Sequence, residues 1–126
     1  MNAQTESVEA EIQRKGPTSP RVTPADIEAN IAAEHYFTAA EGVIGANGCE
    51  RGLVSGRLNA LTICVLTLRN GFVVLGHSVP IQDENFNAEL GRRIAREDAI
   101  DQMWPLLGYA QRETLHQASR PDPDAR

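Results

Sequence analysis

Lysine and arginine are scarce relative to acid: 12 stand against 17 aspartates and glutamates, giving a formal net charge of -5. Nothing in that balance neutralises the phosphates of a double helix, so DNA is not an expected partner. Cysteine is scarcer still. Cys49 and Cys64 have no C-x-x-C spacing and are too few for a disulfide framework, so they read as free thiols in a reducing cytoplasm. No apolar run approaches the ~18 residues that a bilayer span needs, and the N-terminus lacks the basic-then-apolar order of a signal peptide. The chain also lacks G-x-S-x-G, H-E-x-x-H and a P-loop, and no histidine stands at local spacing from a candidate nucleophile. The expectation is a cytosolic protein that binds rather than catalyses, with no cofactor and no membrane partner.

What is present is ordinary for a globular protein: 41% hydrophobic and 23% charged residues in a chain of 126. Residues 1–22 mix Glu, Gln, Ser, Thr and Pro and read as a disordered leader; residues 118–126, with Pro121-Asp122-Pro123-Asp124, read as a disordered tail. Residues 23–117 then form a single α+β domain of about 90 to 95 residues, small enough that self-association would help its stability.

Order is expected to begin at Thr23-Pro24-Ala25-Asp26, with Thr23 as N-cap, Pro24 at the first helical position and Asp26 at the third. The short N-terminal helix should reach about His35. Tyr36 to Ala40 reads as extended, and Gly42 to Gly56 as a glycine-punctuated insertion loop. The strongest local signal is two β-rich runs, Leu61–Arg69 and Phe72–His77, joined by Asn70-Gly71. A two-residue type I′ turn there pairs Leu68 with Val73, Leu66 with Leu75 and Cys64 with His77. Both faces of the antiparallel hairpin are then mostly apolar; a helical layer covers one, and a homo-oligomer is the natural cover for the other.

Asp83-Glu84-Asn85 offers N-caps for a helix to about Met103, which Trp104-Pro105 should kink or break before a second helix, Leu106 to His116. At 100° per residue the first helix puts Leu90, Gly91, Ile94 and Ala95 on a core arc and Glu89, Arg92, Arg93 and Arg96 on a cationic one. That cationic arc is either a solvated face, with Glu89–Arg93 and Arg93–Glu97 pairs of ~0.3–0.5 kcal/mol each, or an anion site. Phe86 borders it, and a ring beside guanidinium forks suits a nucleotide, stacking the base and gripping the phosphate. Asp98 falls within the apolar arc and must be paired. His77, beside Cys64 in the expected register, reads as a core histidine, because two ligands with His35 and His116 distant in sequence do not make a zinc site.

The order T-I-C-V-L-T-L-R-N-G-F-V-V-L-G-H-S, followed by E-N-F-N-A-E-L-G-R-R-I-A-R-E-D-A-I-D-Q-M-W-P-L-L-G-Y, resembles a family of small early proteins of tailed phages named after members in N4-like and Sf6-like phages. Upstream, E-H-Y-F-T-A-A-E-G-V (Glu34 to Val43) resembles its proteobacterial branch. The pattern is also similar to the Thoeris anti-defence sponge proteins. That similarity implies an α+β protomer forming dimers, some assembling into hexamers, which sequesters glycocyclic ADP-ribose signals made by bacterial TIR-domain enzymes; some members also hold cyclic trinucleotides at separate sites. Carried onto this chain, the resemblance places the ADP-ribose site on Phe86 and Asn87, on the face around Arg93 and Arg96, and near Arg112. Arg57 is implied for a second anionic ligand at a subunit interface, although the loop before it departs from the shorter members.

The function expected is a phage-encoded protein that binds and sequesters a cyclic nucleotide immune signal in the host bacterial cytoplasm without degrading it. The rival is a phage protein that inhibits a host protein by direct interaction.

Overall fold

Strand β2, Thr62–Leu68, lies at the centre of a three-stranded antiparallel sheet of order β1-β2-β3, with β1 at Ile31–Thr38 and β3 at Val73–Ser78. This is seen in a computed structural model that describes residues 3–15, 20–48 and 56–120. Along β2 the side chains alternate: Thr62, Cys64, Leu66 and Leu68 are buried, and the residues between them are half-buried. The helices are α1 (Ala3–Lys15), α2 (Pro24–Ala29), α3 (Ala39–Asn47), α4 (Gly56–Asn59) and α5 (Ala88–Ser119). The α+β class expected from the sequence is the observed one.

The hairpin forms where Asn70-Gly71 predicts, but in a different register. Gly71 N–H donates to the Leu68 carbonyl (2.9 Å), Leu68 N–H donates to the Phe72 carbonyl (2.8 Å), and Gly71 alone in the loop takes a positive φ, +91°. This is a three-residue loop, a type I turn closed by a left-handed glycine, rather than the two-residue type I′ turn, which would require positive φ at Asn70 as well. Thr67 therefore opposes Val73, Leu66 opposes Val74 and Cys64 opposes Gly76. A shift of one residue exchanges the faces of β3: Val74 and Gly76 are buried, whereas Val73, Leu75 and His77 are exposed. His77 is thus no core histidine, with a side chain 68% exposed. Across the sheet, Phe37, Ile63 and His77 share the outer face with His35, Val65 and Leu75. That face remains apolar, as the sequence indicated, and Leu75 is 56% exposed on it.

Helix α5 covers the other face. It buries Gly91, Ala95, Ala99, Ile100 and Met103, which join Cys64, Leu66, Leu68, Val74 and Ile27 in one core. Each large side chain in it contributes roughly 1.5–3 kcal/mol. The small residues bring the helix backbone down onto β3: a Cβ on Gly76 would lie 2.0 Å from the Ala95 carbonyl oxygen and 2.5 Å from the Ala99 nitrogen. Leu90 and Ile94, assigned to the core arc by hydropathy, are instead exposed, because the helix turns its Gly and Ala stripe toward the sheet. Two α5 side chains also occupy the outer edge of β3. Gln102 Nε2 donates to the Leu75 carbonyl, and Asp98 Oδ2 accepts from His77 N–H at 3.0 Å. Asp98 is thereby satisfied by backbone.

Other expectations change for local reasons. Proline 105 does not break the helix; α5 runs through it for 32 residues, about 48 Å. Pro105 and Asp101, whose carbonyl loses its partner, both lie on the exposed side, where water can solvate that oxygen. Helix α5 starts at Asn87 as N-cap, whose Oδ1 accepts from Leu90 N–H (3.0 Å), after a 3-10 turn at Asp83–Asn85. The Thr23-Pro24-Asp26 start is confirmed as a capping box, yet α2 ends at Ala29, since residues 31–38 pair with β2 as a strand instead of continuing the helix to His35. Part of the expected insertion loop is α3, with its own Thr38/Glu41 capping box and Gly48 at φ +65° as C-cap. Within the expected leader, α1 is helical: Ala3 to Lys15 contains good helix formers and neither Gly nor Pro, and Glu9 pairs with Arg21 at 2.8 and 2.9 Å. The expected tail begins inside α5, which extends to Ser119; residues 121–126 and Cys49 lie outside the described residues.

Gly76→Ala is expected to destabilise the fold by at least about 3 kcal/mol in chemical denaturation, since its Cβ collides with helix backbone. Gly45→Ala, in α3 with nothing within 4 Å, should instead stabilise by roughly 0.5–1 kcal/mol.

Candidate functional site

A concavity of about 620 Å³ opens at the end of the sheet where β1 gives way to α3 and α5 begins. Strand β1 contributes Tyr36, Phe37 and Thr38, and α3 contributes Glu41. Gly56, Asn59 and Ala60 close one side from α4 and the residue after it. Thr62, the buried polar residue at the start of β2, lies at the floor, 3% exposed. Asp83, Phe86, Ala88 and Arg92 complete the wall from the 3-10 turn and the first turns of α5. The site therefore combines three aromatic rings, a guanidinium and several hydroxyl, amide and carboxylate oxygens. Rings and a guanidinium suit a flat, partly anionic organic molecule.

Two of the acidic groups are also structural. Glu41 accepts from Thr38 N–H (3.1 Å) and from its hydroxyl (3.1 Å), fixing the start of α3. Asp83 forms an ion pair with Arg57, whose guanidinium also donates to the Pro80 carbonyl (2.8 Å) and the Ile81 carbonyl (3.3 Å). Among the described residues, no group of three or more His, Cys, Asp and Glu is arranged to hold a metal ion.

The residues singled out in the sequence are only partly brought together. Phe86 lines the pocket, and its other side borders a second hollow of about 390 Å³ that includes Asn87, Leu90 and Ile94. Asn87 spends its carbonyl oxygen on capping α5. Arg57 clamps the 80–83 segment, beside a shallow depression lined by Ile81, Gln82 and Glu84. Arg93 is exposed on α5 one residue beyond the pocket wall. Arg112 is exposed far along the same helix, 19 residues and roughly 28 Å from Arg93, so one protomer cannot close both around one small ligand. Arg92, by contrast, is part of the wall, although the cationic arc alone does not set it apart from its neighbours; Tyr36 and Phe37 stand within the Glu34–Val43 resemblance without a site assignment, and Asn59 carried no motif. Their convergence depends on long-range pairing of β1 with β2, which local spacing does not encode.

Arg96 lies outside the pocket lining and braces three elements. Its Nη1 and Nη2 donate to Glu28 Oε1 and Oε2 at 3.0 and 2.7 Å, and its Nε reaches Glu34 Oε1 at 3.3 Å. Tyr36 donates its hydroxyl to the same Glu34 oxygen at 2.8 Å, linking the brace to the pocket. The Arg96 hydrogen bonds hold the Glu28 carboxyl below the usual carboxylate range, and Glu28 and Glu34 push the guanidinium further toward its charged form. Burial, and then the hydrogen bond to Glu34, raises the Tyr36 phenol well above its ordinary value. Burial likewise raises the Cys64 thiol. Since the Glu28 pKa is lower folded than unfolded, the pair stabilises the protein above the ordinary carboxylate range, and this contribution is lost as pH falls through the folded value. Thermal melts between pH 7 and pH 3 should show a shallower acid-side decline for Glu28→Gln than for the wild type, together with a lower melting temperature at pH 7.

No helix among the described residues is long and apolar enough to cross a membrane. Comparison with curated proteins and with solved structures gives no match. Residues 22–115 do match a family described as "Phage protein (N4 Gp49/phage Sf6 gene 66) family". That span holds the whole sheet, the pocket and all but the last residues of α5, and on this match the chain belongs to the N4 Gp49/phage Sf6 gene 66 family of phage proteins.

Proposed function

We propose that this phage protein captures a cyclic nucleotide immune signal of the glycocyclic ADP-ribose type in the host bacterial cytoplasm and withholds it, without degrading it. The observation that carries the reading is the convergence of Phe86, Tyr36, Phe37 and Arg92 on one pocket. Its volume of about 620 Å³ falls in the range that small-molecule sites occupy. An aromatic ring contributes ~1–3 kcal/mol by stacking on a base, and a guanidinium matches phosphate oxygens with paired donors. Capture of this kind needs no chemical step; it needs a site formed in advance and enough protein. The resemblance to anti-defence sponge proteins noted in the sequence supports the same ligand class.

A second copy of the chain belongs to this reading. Val73 and Leu75 are half-exposed beside Ile63 and Val65 on the outer sheet face, and removing that surface from water favours a dimer or a trimer of dimers. Arg112 lies roughly 28 Å along α5 from Arg93, so in this reading it reaches the pocket from a second copy. Cyclic trinucleotides are second candidates, at a separate place near Arg57. The alternative, direct inhibition of a host protein, draws on exposed Val79, Leu90 and Ile94, which line the smaller hollow.

Incubating the purified protein with each glycocyclic ADP-ribose isomer, removing the protein by filtration and then heating it separates these readings. Depletion followed by release of intact ligand is the expected result; altered ligand indicates an enzyme, and ligand that is never depleted points to a protein target. Phe86→Ala should weaken capture roughly 5- to 100-fold while the fold persists. Arg92→Ala should weaken it by about tenfold and make binding less sensitive to salt, read from titrations at two ionic strengths.

A further inference from the structure

Thr38, Thr62 and Ser78 stand side by side across the three strands, at the pocket end of the sheet. The Thr38 hydroxyl donates to Glu41 Oε1 at 3.1 Å. In the middle, the Thr62 hydroxyl oxygen is buried and has no hydrogen-bond partner among the described residues. The residues that follow it on the same face, Cys64, Leu66 and Leu68, present no hydroxyl. Valine has the same shape and an equal liking for a strand, and would avoid leaving a hydroxyl unsatisfied. The hydroxyl is therefore kept at a cost to stability, and such a group calls for an explanation.

Its surroundings supply one. Helix α5 passes the hydroxyl with Gly91, where a Cβ would lie 2.8 Å from Thr62 Oγ1 and 3.7 Å from the Phe86 ring. Glycine lets the helix backbone come down beside the hydroxyl with no side chain between it and the Phe86 ring edge. Both Phe86 and Thr62 line the pocket, with Arg92 on the same wall. We infer that the Thr62 hydroxyl reads the hydrogen-bonding edge of a nucleobase seated against Phe86, while Arg92 takes a phosphate of the same molecule. A hydroxyl can both donate and accept, so it can serve either a ring nitrogen or an exocyclic amine. Binding then satisfies in the complex a group that the empty fold leaves unsatisfied. This assignment rests on the nucleotide-capture reading and adds to it the residue that senses the base.

Calorimetric titration of the full chain tests it, with glycocyclic ADP-ribose as one probe and inorganic pyrophosphate, which has no base, as the other. Thr62→Val is expected to bind glycocyclic ADP-ribose 5- to 10-fold more weakly, tenfold being about 1.4 kcal/mol. Thr62→Ser, which retains the hydroxyl, should stay within about twofold of wild type. Pyrophosphate should bind all three proteins alike, and the melting temperature of Thr62→Val should equal or exceed that of the wild type. Unchanged affinity in Thr62→Val overturns the assignment, as does a loss that extends equally to pyrophosphate or comes with a lowered melting temperature. A wild type that binds no glycocyclic ADP-ribose overturns the capture reading itself, and the role of Thr62 with it.

Discussion

The contact on which the rest of the molecule depends is the one between the backbone of α5 and strand β3. Gly76 has no side chain, and Gly91, Ala95 and Ala99 have almost none, so helix and sheet approach until main-chain atoms of one lie against the other. That closeness fixes the rotation of α5 about its axis. Once its small residues face the sheet, Ile100 and Met103 enter the core, Asp98 and Gln102 fall on the β3 edge, and Arg96 faces Glu28 and Glu34. It also brings the first turns of the helix to the end of the sheet, where Arg92 joins Tyr36 and Phe37. The pocket follows from how the core packs, because its walls come from three separate stretches of chain.

Much of this was legible in the chain. The start of α2 is written in Thr23, Pro24 and Asp26, each suited to its capping position for a separate reason. The hairpin is written in Asn70-Gly71 between two β-rich runs, and the apolar character of both sheet faces survives any register. The register itself was not legible. With apolar residues on both faces, alternation cannot choose between a two-residue and a three-residue loop, and the choice depends on whether Asn70 takes a positive φ. Hydropathy also misled on α5, since large apolar residues normally mark a buried face. Here Leu90 and Ile94 are outside and the glycine-alanine stripe is inside, because depth of approach rather than bulk gives the better packing against Gly76.

The candidate site shows the same division. Phe86 was recognisable as a ring beside a cationic arc, and it does line the pocket. Which arginine stands with it was not recognisable, since Arg92, Arg93 and Arg96 occupy one arc and differ only in what faces them from other elements. Arg96 faces two carboxylates brought by α2 and β1, from more than 60 residues away in sequence. Thr62 gave no sign at all, for a threonine in a strand is the commonest of observations. It becomes notable only when the helix laid across it is seen to offer no partner.

The side chains of Asp98 and Gln102 on the rim of β3 have a consequence for how copies of this protein meet. They occupy a donor and an acceptor that an incoming strand would need to extend the ladder. Chains that expose greasy sheet surface next to a bare rim are prone to stack without limit into fibrils. Here that route is obstructed on one flank, which guards that side of the sheet against cross-β growth.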